Sequence, residues 1–220
     1  QGRGRMRNVL RWALAVAVVA VAVGPPVAFF RYQYAHAKRL REVTPGTLYR
    51  SGQMTAAGLE ATIGRYGIKT VVNLQHENPD PLLLKHWMGK PTERESALCK
   101  RLGVRYVLLT PDLVPQPNRL DRLPPAVDEF LAVMDDPANH PVLLHCKAGL
   151  HRTGRLTAIY RMEYQNWGEG EALREMRANG YGLLASSEAD EFVIQFVQNY
   201  VPRAQRPRAL PAAPPPRAVP

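Results

Sequence analysis

Ten consecutive residues, His145-Cys146-Lys147-Ala148-Gly149-Leu150-His151-Arg152-Thr153-Gly154, gather a thiol, a glycine and an arginine into one short stretch. The ligand such a stretch suits is an anion. If the chain curls there, the backbone N–H groups of Lys147, Ala148, Gly149, Leu150, His151 and Arg152 can converge on one phosphate, and Gly149 permits the close approach this needs. A helix opening just after the loop adds free N–H groups and its positive dipole end. Arg152, at the mouth of that helix, can hold two phosphate oxygens through its planar fork. Cys146 lies at the base, where a helix N-terminus and nearby cations favour the thiolate. A thiolate beneath a bound phosphate defines in-line attack on phosphorus and a phosphocysteine intermediate. Thr153 can donate its hydroxyl to the sulfur as it leaves. His145 is better suited to ordering the loop by hydrogen bonding than to acting as a base.

The elements around this stretch are those it requires. Val142 to His145 is a short apolar run that reads as a buried strand. After the loop, Leu156, Ile159, Tyr160, Tyr164 and Trp167 share one helical face. Upstream, Thr47-Leu48-Tyr49-Arg50 suggests a first strand and residues 55–66 a helix. Residues 68–74 and 104–109 are runs expected of strands covered on both faces, with a helix at 93–102 between them. Val127, Phe130, Leu131 and Met134 mark a helix opened by Pro124 and Pro125. Helices near 169–178 and 188–200 follow, the last with a Ser187…Asp190 capping box. The order predicts an α/β fold: a central, mostly parallel sheet of four or five strands flanked by helices. The catalytic loop then falls at the carboxyl end of a strand, where open parallel sheets bind ligands. A lone Cys is usually an inert core residue and C-x5-R arises by chance; the agreement of strand, glycine, Arg-Thr-Gly and helix outweighs that reading.

The loop resembles the signature of the protein-tyrosine and dual-specificity phosphatases, H-C-x-x-G-x-x-R-[ST]-G, with each defined position matched, and the resemblance extends over about residues 43–200. Leu48-Tyr49-Arg50-Ser51-Gly52 is similar to the opening strand of the compact members. Asp136-Pro137-Ala138-Asn139-His140-Pro141, Gln165-Asn166-Trp167 and His151-Arg152-Thr153-Gly154 resemble the atypical dual-specificity phosphatases of plants and fungi. Lys147-Ala148-Gly149 is similar instead to loops of phosphoinositide 3-phosphatases, which carry a second lysine where this chain has Leu150. The resemblance implies hydrolysis of phosphotyrosine, and of phosphoserine or phosphothreonine, on proteins; the plant and fungal subgroup adds inositol polyphosphates or pyrophosphates, and a membrane tether would make phosphoinositides the second reading. The resemblance also implies an upstream aspartate that protonates the leaving oxygen, a contribution of ~10²–10⁴-fold. Asp112, in Thr110-Pro111-Asp112-Leu113-Val114-Pro115, lies 34 residues before Cys146 and is the first candidate; the rival reading is a turn after proline. Asp121 is second, and Glu77 and Asp80 are turn residues that could face the cleft. A phosphate reader with the same cradle and no turnover is the non-enzymatic alternative.

Composition places the charge outside this domain. The net charge is +10, but residues 1–41 hold eight Lys or Arg and residues 202–220 hold four Arg, with no acid in either. Residues 42–201 are left with 17 basic and 19 acidic residues, so the basicity suits anionic lipid rather than nucleic acid. Residues 1–11 form a basic N-terminal segment. Residues 12–30 carry no charge, and at 1.5 Å per residue they reach about 28 Å, close to the hydrocarbon thickness, so a transmembrane anchor is expected. Pro25 and Pro26 are expected to disturb its last turn. A cleaved signal peptide is the rival, with Ala35-His36-Ala37 as its cleavage site. Four basic residues precede the segment and Arg31, Lys38, Arg39 and Arg41 follow it, so the positive-inside comparison is a tie. Reducing cytosol suits a catalytic thiolate, which leans the domain to the cytoplasmic side. Residues 31–42 read as a basic linker, 43–201 as the domain and 202–220, with seven Pro, as a disordered tail. No Cys or His spacing fits a zinc site, and no metal or cofactor is expected. Cys99 reads as a core residue, and His86 and Trp87 as loop residues.

Overall fold

The apolar runs at 68–74, 104–109 and 142–145 supply three adjacent strands of one sheet. In the computed structural model, which describes residues 2–77, 93–109, 125–182 and 188–206, five strands lie in the order β1-β2-β5-β3-β4. They are β1 (Arg41–Thr44), β2 (Leu48–Gly52), β3 (Thr70–Asn73), β4 (Arg105–Leu108) and β5 (Val142–Cys146). The pairs β2–β5, β5–β3 and β3–β4 are parallel, and β1 runs antiparallel to β2 at the edge. Every residue of β2, β3 and β5 is buried, which is why these strands read as continuous runs rather than alternating ones. β1 was not anticipated, because only Val43 of its four residues is buried and the rest carry no strand signal.

Helices cover both faces. Tyr49, Val71 and Leu143 pack against α2 (Ala56–Tyr66) and α3 (Glu95–Arg101) through Leu59, Ile63, Leu98 and Cys99. Their strand neighbours Leu48, Val72, Leu144 and Cys146 point the other way. That layer is built from α4 (Pro125–Asp135), α5 (His151–Tyr164), α6 (Glu169–Ala178) and α7 (Glu188–Gln198). The ends of α2 follow from its sequence. Thr55 accepts from the Gly58 N–H at one end, and Gly67 takes the left-handed conformation, φ 62°, at the other.

α5 departs from the one-sided helix expected of it. Thr153 through Tyr160 are all buried, so the helix that follows the loop is the centre of its layer. It also ends at Tyr164; Trp167 folds back, its N–H donating to the Arg161 carbonyl while the Arg161 guanidinium lies 4.5 Å from its ring. The capping box at Ser187 and Asp190 falls outside the described residues and side chains.

The flanks are more ordered than expected. α1 (Gly2–His36) is one helix that continues through Pro25 and Pro26. The segment read as a linker therefore begins as helix and ends as β1. At the other end, Arg203–Gln205 form a 3-10 turn on the domain instead of opening a disordered tail. Arg203 grips Asp135 with two hydrogen bonds, 2.7 and 2.9 Å, and donates to Glu163 at 3.0 Å.

Donation from Arg203 holds the Asp135 carboxyl below its usual range. The group is depressed on folding, so its contribution is present above the ordinary aspartate value of ~3.9 and fades as pH falls below it. Arg203→Ala is expected to cost up to about 1 kcal/mol at pH 7, the pair being half exposed. In urea titrations the gap to the parent chain should close below pH ~4; a gap independent of pH would show that the clamp acts by packing alone.

Candidate active site

Cys146 is the last residue of β5, at the carboxyl edge of the sheet, and it is buried. The loop from Lys147 to Leu150 turns over it into α5, with Leu150 at the cap position. The Gly149 N–H donates to Cys146 Sγ at 3.3 Å. Among the described residues the N–H groups of Lys147, Ala148 and Leu150 have no protein acceptor.

Three carbonyls of the same loop are engaged from outside. Lys147 O accepts from the Gln53 N–H at 3.3 Å, Ala148 O from Arg39 Nη1 at 2.9 Å and Gly149 O from Arg50 Nη2 at 2.9 Å. A peptide group whose carbonyl is held on one side turns its N–H to the other, so these three donors aim the loop's amides inward. Gly149 is required twice over. Its φ is +73°, and a Cβ there would stand 2.5 Å from the Gly52 nitrogen and 2.7 Å from the Ser51 carbonyl carbon.

Arg152, in the first turn of α5, donates through Nη1 to the Leu74 carbonyl at 2.9 Å. That bond sets the plane of its guanidinium while leaving further N–H groups of the fork for an oxyanion. Leu74 N in turn donates to the His145 carbonyl, so the end of β3 ties both sides of the loop together. His145 Nε2 lies 2.7 Å from Glu95 Oε1, a contact that fastens β5 to α3 and suits the ordering role expected of the histidine. Among the described residues its buried Nδ1 has no hydrogen-bond partner. Thr153 is fully buried, and among the described residues its Oγ1 has no hydrogen-bond partner, so the expected bond to the sulfur is not made. Lys147 is exposed at the rim, and the His151 ring meets the Tyr181 ring edge-on at 5.4 Å.

Arg50, Arg39, Gln53 and Glu95 were not foreseen as site residues. An arginine within a fully buried strand was a signal for Arg50; nothing in the sequence pointed to the other three. Burial pulls the Arg50 guanidinium down to about 10, still charged at neutral pH. Cys99 is a core thiol, free like Cys146, and burial pushes it up to about 12. The two thiols belong to opposite core layers. Glu77 accepts from the Ser96 N–H at 2.8 Å and so caps α3 rather than facing a substrate. Asp112, Asp121, Asp80, His86 and Trp87 lie outside the described residues.

Gly149→Ala should deform the cradle without emptying the core. Turning one anion-facing amide away forfeits a charge-assisted hydrogen bond of about 1.5–3 kcal/mol, so orthovanadate binding should weaken at least ~10-fold. Calorimetric titration checks this; unchanged affinity would mean that the loop's amides are not the anion's ligands.

Comparison with known proteins agrees with this geometry. A family model described as a DSP-PTPase phosphatase fused to NAD+ kinase matches residues 27–192. The dual specificity protein phosphatase TpbA of Pseudomonas aeruginosa is 33% identical over 140 residues, 62% of this chain and 52% of the relative. The chain thus spans about half the length of that curated relative. The TpbA crystal structure superposes with a TM-score of 0.52 at 27% identity, covering 75% of this chain and 86% of that one. Inositol diphosphatase DSP3 of Arabidopsis thaliana is 45% identical over 51 residues, 23% of this chain and 25% of the relative. With the family model covering three quarters of the sequence, the chain belongs to the atypical dual-specificity phosphatase family.

Proposed function

We propose that the chain hydrolyses phosphate monoesters through a phosphocysteine on Cys146. The observation that carries this reading is the set of three outward-held carbonyls above a buried thiol, which leaves inward N–H groups and Arg152 for one phosphate. Cys146 Sγ attacks phosphorus in line. The S–P bond forms as the P–O bond to the leaving group breaks, and Asp112 gives that oxygen its proton. Water then attacks phosphorus, Asp112 takes a proton from it, and the S–P bond breaks to return the thiolate. Lys147, Ala148, Gly149, Leu150, His151 and Arg152 hold the phosphoryl oxygens through both steps, and Thr153 would donate its hydroxyl to the departing sulfur.

Protein phosphotyrosine is the first substrate class, in keeping with the likeness to a dual specificity protein phosphatase. The likeness to an inositol diphosphatase favours inositol polyphosphates and pyrophosphates as the second, and exposed Lys147 would suit their charge. α1 is read as a membrane anchor: its most apolar window has a mean hydropathy of 2.3, and none of that window is buried on the domain. His36 lies six helical steps beyond Phe30, about 9 Å, so the cradle would work close to the bilayer surface. Cleavage after Ala37 would discard Ala35, whose carbonyl accepts from the Thr55 N–H at 3.1 Å, which supports retention of the segment.

Turnover of an aryl phosphate by the full chain in detergent, with chelator present, tests the reaction. Cys146→Ser should abolish it. Asp112→Ala should slow it ~10²–10⁴-fold, and much less for a substrate whose leaving group needs no proton. Binding without turnover would favour the phosphate reader. Parallel assays on a phosphotyrosine peptide and an inositol pyrophosphate rank the two substrate classes by kcat/KM.

A further inference from the structure

The last turn of α1 and the residues after it are joined to the loop's surroundings by more than chain connectivity. The Ala35 carbonyl accepts from the Thr55 N–H at 3.1 Å, the His36 ring nitrogen Nδ1 meets the Thr55 hydroxyl, and the Lys38 carbonyl accepts from the Gly52 N–H at 2.7 Å. Gly52 pairs in register with Cys146 and is the residue against which Gly149 is pressed. A Cβ at Gly52 would also touch the Lys38 side chain, at 2.8 Å, and the Ala148 carbonyl, at 3.0 Å. Arg39, held at φ 50°, then reaches across 109 residues of sequence to donate to Ala148 O.

We infer that residues 35–39 form the outer wall of the phosphate cradle and that Arg39 is a positioning residue for it. Arg39 holds the Ala148 carbonyl away from the anion, as Arg50 holds its neighbour, and the docked end of α1 holds Arg39. The anchor and the cradle are therefore one mechanical unit. This inference rests on the reading of the loop as a phosphate site.

Gly58 offers a way to undock the helix without touching the loop. It lies in α2, and a Cβ there would fall 2.1 Å from the His36 carbonyl oxygen, a backbone atom that cannot swing aside. Alanine also suits a helix better than glycine, by about tenfold or less in local equilibrium, so Gly58→Ala does not weaken α2 itself.

The test compares the parent chain in detergent with Arg39→Ala, Arg39→Lys and Gly58→Ala. It reads the inhibition constant of orthovanadate and kcat/KM for an aryl phosphate at about 0.05 and 0.5 M salt, which spans strong and weak screening. Loss of one held carbonyl should weaken orthovanadate about 5- to 20-fold in Arg39→Ala and in Gly58→Ala, equally at both salt concentrations. Lysine, which can still donate to Ala148 O, should recover at least half of that loss. Unchanged inhibition in Arg39→Ala, no recovery with lysine, or a loss that disappears at high salt would overturn the inference, the last by showing charge steering alone. Thermal melting identifies a variant that has unfolded, and Arg39→Ala, on the surface, decides the matter if Gly58→Ala does so. A parent chain that binds no orthovanadate would instead refute the phosphate-site reading itself.

Discussion

A backbone that turns its N–H groups toward an anion must send its carbonyls the other way, and those carbonyls need donors of their own. Much of this molecule is arranged around that requirement. Arg50 reaches up from a strand where burial lowers its guanidinium, Arg39 comes from the segment after the N-terminal helix, and Gln53 contributes its amide from just beyond β2. Gly149 is the point where the loop touches β2, and only a residue without a side chain fits that gap. The loop is held from behind by three residues from two segments distant in sequence, which lets its front remain open to a ligand.

The rigidity of the loop's two ends comes from the sheet and the central helix. β5 lies between β2 and β3, so Cys146 is fixed on both sides by parallel ladders. α5 is buried along Thr153 to Tyr160, which fixes the direction in which its first turn, and Arg152, can point. His145 and Leu74 couple the remaining side: the histidine binds Glu95 of α3 while Leu74 receives Arg152 and donates to the His145 carbonyl. Such preorganisation is what a phosphate site needs, since donors already in place cost no reorganisation when charge develops on the transferring group.

The parts of this arrangement that were legible in the sequence are those whose signal is local. β3 and β5 lie within a residue or two of their apolar runs, because strands covered on both faces carry uniform hydrophobicity; β4 also falls inside its run, but at the sheet edge none of its four residues is buried, so it is not the doubly covered strand expected there. The loop was legible because the phosphate cradle we propose for it needs its glycine, its arginine and its thiol close together in the chain. Arg39 and Arg50 were not, since they act on carbonyls 109 and 99 residues away, and no spacing rule reaches that far. Trp167 fits a helical period by coincidence, its packing on Arg161 arising from a turn after the helix has ended. β1 and the C-terminal clamp were hidden for a related reason: each is held by polar contacts with other elements rather than by a periodic apolar face.

The central claim is that Cys146 carries the phosphoryl group during the reaction. Rapid quenching of the full chain during turnover of an aryl phosphate, followed by peptide mass analysis, tests it most directly. A phosphate adduct on the peptide bearing Cys146 should form and decay on the timescale of turnover. Steady hydrolysis with no adduct at Cys146, or with the adduct on another residue, would contradict it.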